Sequence, residues 1–247
     1  IDLPELVYSS EQSRELDCRV AGRPEYGKGR LMKLAGIAGF RSLQALWPGM
    51  RRLAVCCGPG NNGGDGFVVA RLAARHGLKV CLVGFGEPKT IDAKREYRYT
   101  LEAGVSEVPF HPDELTKADV VVDAILGTGF NRSLGGTILA GTRAINASGK
   151  PVLALDVPSG LNSDTGEAAN DSVSATATIS FICLSPGLVT GSGPDHCGRI
   201  LFDNLQVPET IFSGMQPVAS RISTRRVVDM LQMLPRRRHK GDAGHLL

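Results

Sequence analysis

The 247-residue chain predicts a three-layer α/β/α, Rossmann-like domain with a mostly parallel central sheet, preceded by two N-terminal helices. Three observations predict it. Short runs dominated by apolar residues recur at Leu53–Cys57, Lys79–Val83, Asp119–Ala124 and Pro151–Asp156, the pattern of strands covered on both faces. Segments of helical spacing separate these runs. Three of the runs lead into polar, glycine-bearing stretches, at Gly58–Gly66, Asp123–Ser133 and Asp156–Asn162. In parallel sheets ligands bind beyond the carboxyl ends of the strands, so a site assembled from those three loops is expected.

The elements follow in order. Ser9, with Gln12 three residues on, makes a capping box, so the first helix starts near Ser10 and runs toward Ala21, where Pro24 and Gly27 interrupt. Leu31, Leu34, Ala35, Ala38, Ala45 and Leu46 give the second helix, ended by Pro48-Gly49. After the strand at 53–57, the stretch Phe67–His76 carries Val69, Leu72 and Ala73 on one face and reads as a helix closed by Gly77. A polar helix is expected from Asp92 to Ala103, ended by Gly104, and another from Gly136 to Ala147, ended by Ser148-Gly149. Ala175–Ile182 and Arg199–Phe202 read as further strands with no clear helix between them.

Composition excludes several classes. Apolar residues make up 42% and charged residues 21%, as in ordinary globular proteins. No run of 18 apolar residues suggests a membrane span, and the first residues lack a signal-peptide pattern, so no membrane association and a cytoplasmic location are expected. The net charge is +3, but Arg236-Arg237-Arg238-His239-Lys240 alone holds four cations. The rest is close to neutral, and no nucleic-acid partner is called for. The six cysteines form no C-x-x-C pair, and Cys56, Cys57 and Cys81 fall in strands, which suits buried reduced thiols. The five histidines lack ligand spacing, so a zinc site is not expected.

The loops carry the chemistry. Gly58-Pro59-Gly60-Asn61-Asn62-Gly63 formally matches G-x-G-x-x-G between strand and helix, a weak signal by itself. Asn61, Asn62 and Asp65 crowd it with oxygens, and Asp65 would repel a pyrophosphate at the helix start, where a carboxylate also serves as a local cap. Asp123 and Asp156 at strand ends face the ligand crevice, unless each merely caps its turn. Together these oxygens suit a hard cation. Ser159 lacks the nucleophile-elbow context, and no histidine lies in a neighbouring loop to activate it.

The run Cys57-Gly58-Pro59-Gly60-Asn61-Asn62-Gly63-Gly64-Asp65-Gly66-Phe67-Val68-Val69-Ala70-Arg71 resembles the signature of the YjeF N-terminal domain, the NAD(P)H-hydrate epimerase family. Val122-Asp123-Ala124-Ile125-Leu126-Gly127-Thr128-Gly129 and Asp156-Val157-Pro158-Ser159-Gly160-Leu161 are similar to its second and third motifs, in the same order, within a resemblance running from about Ser9 to about Pro208. The tail Leu234–His245 is similar to the junction where bacterial fusion proteins enter an ATP- or ADP-dependent dehydratase domain. The resemblance therefore implies an epimerase domain over residues 1–215, then a linker and the start of a dehydratase domain over 216–247.

The resemblance also implies roles. Asn61, Asn62, Gly63, Gly64 and Asp65 should contact hydrated NADH or NADPH, and Gly127, Thr128, Gly129, Phe130, Asn131, Arg132 and Ser133 should wrap its phosphates. A glycine loop allows such approach and Arg132 adds charge complementarity. Asn62, Asp123 and Ser159 should supply oxygens to a potassium ion. Asp156 should contact the hydrated ring and act in catalysis, as the proton-carrying group that interconverts the R and S forms. A homodimer or larger homo-oligomer is implied as well. Two departures stand out: Lys33 where the family often has an acid, and Ser185 where a lysine is common, which puts a phosphate role there in doubt. The competing readings are a non-catalytic scaffold of the same family, which typically lacks the polar motif residues retained here, and an ordinary oxidoreductase, for which only Glu87 is near the ribose-binding position.

Overall fold

The fold was obtained as a computed structural model and is described for residues 3–27, 29–130, 133–223 and 226–228. In chain order it contains β1 (Leu6–Val7), α1 (Ser10–Ala21), α2 (Arg30–Leu46), β2 (Arg52–Cys57), α3 (Asn61–Arg75), β3 (Lys79–Gly84), α4 (Ile91–Glu102) and β4 (Glu107–Val108). There follow α5 (Pro112–Thr116), β5 (Val120–Ala124), α6 (Gly136–Ala147), β6 (Val152–Leu155), β7 (Ala177–Phe181), α7 (Gly193–Cys197), β8 (Arg199–Asp203) and β9 (Ala219–Ser220).

Seven strands form one sheet in the order β4-β3-β2-β5-β6-β7-β8, and every pairing in it is parallel. Outside this sheet, β1 and β9 pair as a separate antiparallel ribbon. Side chains alternate across β2. Leu53, Val55 and Cys57 point into a core shared with α1, α2 and α3, whereas Ala54 and Cys56 join a second core with Leu115 and Ala118 near α5 and Ala144 and Ile145 of α6. Helices thus cover both faces, which is why the strands read as apolar throughout. The strand order reverses direction beside β2, between β3 on one side and β5 on the other. The crevice at such a reversal, at the carboxyl ends, is where this architecture holds ligands.

The N-terminal helices sit where their sequence signals put them. Ser9 caps α1 through the reciprocal capping box with Gln12. Gly77, at φ 82°, closes α3, and the Leu78 N–H reaches back to the Ala73 carbonyl.

One expectation is overturned. The glycine-rich stretch after β2 is not a loop as far as Gly66: α3 begins at Asn61, with Gly60 as its N-cap, so Asp65 lies inside the helix and does not cap it. Glycine is a poor helix former, but packing decides here. A Cβ at Gly63 would lie 1.8 Å from the Gly58 carbonyl oxygen, one at Gly64 2.4 Å from Met32, and one at Gly66 2.7 Å from both Ala124 and Cys57. The first turns of α3 are wedged between α2 and the sheet, and only glycine fits.

The segment after Pro208 returns to the N-terminus. The Val218 N–H donates to the Val7 carbonyl and the Arg221 N–H to Glu5. The Gln12 amide reaches the Gln216 carbonyl at 2.6 Å. The expected linker and domain start lie, from 229 onward, outside the described residues. Among the described residues no helix is long and apolar enough to cross a membrane.

Candidate active site

A cleft of about 870 Å³ opens over the carboxyl ends of β2, β5, β6 and β7, within the size range of small-molecule sites. Its walls come from several elements. The α1 side contributes Ser13, Arg14 and Asp17; the start of α3 contributes Asn61, Asn62 and Asp65. The stretch after β5 adds Ile125–Phe130, and the ends of β6 and β7 add Asp156, Phe181 and Ile182.

Beneath the cleft a chain of hydrogen bonds ties three loops together. The Asn62 side-chain amide donates to the Leu126 carbonyl at 2.7 Å. The Leu126 N–H donates to Ser159 Oγ at 2.9 Å. Ser159 Oγ in turn donates to Asp123 Oδ1 at 2.6 Å, and the Ser159 N–H to Asp123 Oδ2 at 2.8 Å. The Ile125 N–H adds a third contact to Asp123, at 3.2 Å. Asp123 and Ser159 are fully buried, so Asp123 does not face the open crevice as its strand-end position suggested. It is the anchor under it. Burial pushes its carboxyl up to about 6, and the donors from Ser159 and Ile125 pull the other way.

Among the described residues, one atom in this network has no partner. Asn62 is 8% exposed, its amide nitrogen is satisfied, and its Oδ1 accepts nothing. A buried acceptor left open costs about 1–3 kcal/mol, so an unpaired oxygen beside a cleft points to a missing donor or cation. Asp123 accepts three hydrogen bonds against roughly four lone-pair positions of a carboxylate. The donor set is oxygen only, and among the described residues no group of three His, Cys, Asp or Glu side chains is arranged for a metal. That chemistry fits a hard, weakly charged cation better than zinc.

Asp156 sits immediately beyond β6 in an unusual conformation. Its φ is 67°, and the Val157 N–H closes a three-residue turn onto the Leu155 carbonyl at 2.9 Å. The adjacent strand repeats the device: Ile182 has φ 61°, and the Cys183 N–H bonds the Phe181 carbonyl at 2.6 Å. A β-branched residue there is strained. The turn aims the Asp156 carboxylate across the cleft, where Oδ2 accepts from the Thr128 N–H at 2.9 Å. Gly127 allows this, since a Cβ there would lie 2.6 Å from that oxygen. Burial raises the Asp156 carboxyl, against the lowering pull of the Thr128 hydrogen bonds.

Of the residues singled out from sequence, Asn61, Asn62, Asp65, Gly127, Thr128, Gly129, Phe130 and Asp156 share the cleft. Gly63 and Gly64 are packed behind it. Ser133 is exposed and is not among the lining residues, while Asn131 and Arg132 lie outside the described residues. Ser185 is buried and does not line the cleft. Asp17 was not anticipated. Its carboxyl is pushed up to about 7, first by burial and then by repulsion from Asp156. The residue keeps more than a third of its surface accessible and stands in the concave wall of the cleft.

Residues 28–187 match the family model described as YjeF-related protein N-terminus. The chain belongs to this family. A YjeF-related match of that extent spans the loops that build the cleft, from Asn61 to Ser159. The bifunctional NAD(P)H-hydrate repair enzyme Nnr of Coxiella burnetii is 38% identical over 244 residues, covering 98% of this chain and 50% of that protein. The chain thus spans about half the length of the bifunctional relatives it matches. The NAD(P)H-hydrate epimerase of Limosilactobacillus reuteri is 33% identical over 201 residues, covering 80% of this chain and 94% of that one. The crystal structure of the yeast protein ynu0 superposes with a TM-score of 0.73 at 21% identity, over 89% of this chain and 98% of the other, a likeness of fold.

Proposed function

We propose that this YjeF-related domain is an epimerase that interconverts the R and S forms of hydrated NADH and NADPH, and that Asp156 carries the proton. The observation that carries the reading is the Asp156 carboxyl itself, held in the cleft by a strained turn and raised by burial. Relatives that cover most of this chain bear the name NAD(P)H-hydrate epimerase. The damaged cofactor has a hydroxyl on C6, next to ring nitrogen N1. A carboxylic acid protonates that hydroxyl, the C6–O bond breaks, water leaves, and the N1 lone pair forms an iminium. Water then adds to the other face and its proton passes to a general base on that side, so that one water leaves, one enters and the proton count is restored. Group placement of this kind contributes about 10²–10⁴-fold.

The cation belongs to the same proposal. Asn62 Oδ1, Asp123 and Ser159 would hold a potassium ion, the open Asn62 oxygen being the support for it. When bound, the ion supplies fixed positive charge beneath the loops that position Asp156. Residues after 215 are proposed to lead into a dehydratase domain, and the assembly to be a homodimer or larger. The six free thiols suit a reducing compartment, and the cytoplasm is the proposed location.

The test is direct. The protein is incubated with mixed R and S hydrated NADPH and a dehydratase specific for the S form. Consumption of both forms well above the spontaneous rate is expected, with Asp156→Asn slower by about 100-fold or more at an unchanged unfolding temperature. A wild-type rate equal to the spontaneous one would favour a scaffold, and an Asp156→Asn variant with full activity would remove Asp156 from the chemistry.

A further inference from the structure

We propose that Asp17, on α1, is a second catalytic carboxyl, exchanging a proton with the substrate on the ring face opposite the one served by Asp156. The inference rests on the epimerase reading and deepens it.

Inversion at C6 requires the departing and entering oxygens to use opposite faces. One needs a proton donor as its C–O bond breaks; the other needs an acceptor as its bond forms, and the roles exchange in the reverse direction. Asp156 is not free to serve both. Its backbone is fixed by the turn at φ 67° and its Oδ2 is held by the Thr128 N–H. A second proton carrier must come from another wall.

Asp17 meets that requirement. It lines the same cleft from α1, an element outside the sheet. Among the described residues its carboxyl accepts no hydrogen bond and pairs with no cation, so no structural role accounts for it. The helix that carries it is clamped. The Ser10 N–H and Oγ each donate to the Asp164 carboxylate at 2.6 Å, and Arg19 Nη1 donates to the Ile211 and Ser213 carbonyls at 2.9 Å. The open, nine-tenths buried Asn62 Oδ1 independently marks the cleft as a place for a ligand. Asp65 is the third acid of the cleft; burial and the charges of Asp156 and Asp17 raise its carboxyl, and it stands on α3 rather than on the α1 wall. The charged and titratable groups that share the cleft with Asp17 are Arg14 from α1, Tyr26, Asp65 from α3, Asp92 from α4 and Asp156 beyond β6, and the Cys183 thiol lies close enough to feel its charge. With Asp17 near 7, one carboxyl of the pair can be protonated while the other is ionised at neutral pH. The proton lost by one is gained by the other, and water balances as one molecule leaves and one enters.

The test follows oxygen as well as configuration. Each purified epimer of hydrated NADPH is incubated in H₂¹⁸O with the full chain, and ¹⁸O entry with retention is measured beside inversion, above the spontaneous rates. In Asp17→Asn, inversion is expected to fall by about 100-fold, while one epimer still exchanges its hydroxyl with retention, served by Asp156. Asp156→Asn should show the mirror pattern, with retained exchange in the other epimer. The limb of the kcat/KM pH profile near neutrality should vanish in Asp17→Asn and return in Asp17→Glu, which also controls for folding. Inversion by Asp17→Asn within threefold of wild type overturns the inference and leaves the epimerase reading intact, as does loss of exchange in both epimers alike. A wild-type chain with neither inversion nor exchange overturns both.

Discussion

Ser159→Ala tests the staple beneath the cleft. The hydroxyl ties the loop after β6 to the stretch at the end of β5 at two points: it donates to Asp123 at 2.6 Å and accepts from the Leu126 N–H at 2.9 Å. Removing it deletes a hydrogen bond to a carboxylate, about 1.5–3 kcal/mol, and leaves a part-buried N–H open, about 1–3 kcal/mol. A loss of about 3 kcal/mol is expected, or roughly 6–12 °C in Tm for a chain of this length. The loss should depend on pH. Asp123 titrates near 6 in the folded protein, above an ordinary carboxylate, so its contribution is fully present at low pH and is lost as pH rises through 6. Without the hydroxyl its pKa rises further. The penalty should therefore be larger at pH 8 than at pH 5, where the carboxyl is largely protonated in both proteins. Urea unfolding at the two pH values, in a cycle with Asp123→Asn, measures the coupling. A loss below about 0.5 kcal/mol, or one independent of pH, would refute the reasoning.

Two further outcomes are expected. Exchanging choline for potassium chloride should lower Tm by about 5–10 °C if the ion is present at 100 times its dissociation constant, and Asn62→Ala should abolish the difference; equal Tm values for the wild type in both salts would count against a cation site. Gly63→Ala should cost about 3 kcal/mol, the upper end of overpacking penalties, because the new methyl meets backbone atoms at 1.8 Å, whereas Gly49→Ala, with open space around it, should leave the urea midpoint within error.

The layer order was legible because strands buried on both faces leave unbroken apolar runs, and helices with one covered face leave a 3.6-residue period. The start of α3 was not. Asn61–Gly66 contains three glycines in six residues, which reads locally as loop, and two of the contacts that force a helix there come from Met32 and Ala124, distant in the chain. β4 and α5 are too short, at two and five residues, to show any period. Asp17 escaped for a different reason. On α1 it is one polar residue among many, and only the docking of that helix over the strand ends gives it a cleft to face. A signal did exist: an acid near the middle of a helix whose polar neighbours Glu15 and Arg19 pair with each other, leaving Asp17 without a partner.

The backbone at Asp156 also decides which substitution is informative. A residue at φ 67° is strained unless it is glycine or, to a lesser degree, asparagine or aspartate, whose short polar side chains tolerate that region. Alanine there would remove the carboxyl and add backbone strain of about 1 kcal/mol or more, so a lost activity could come from either. Asparagine keeps the shape, the backbone tolerance and an oxygen for the Thr128 N–H, and removes only the exchangeable acidic proton. The same logic explains the paired turns. Continued as ordinary strand, β6 and β7 would send Asp156 and Ile182 along the sheet; the tight turns direct the carboxylate into the cleft and bring Ile182 to its wall. The strain is held by neighbouring pairing, the Asp156 N–H on the Ile179 carbonyl at 2.8 Å and the Ile182 N–H on the Asp203 carbonyl at 3.0 Å. A proton carrier fixed by its backbone is well aimed for one ring face and poorly placed for the other, which is the physical reason that a partner acid on the helical wall follows from the turn at Asp156.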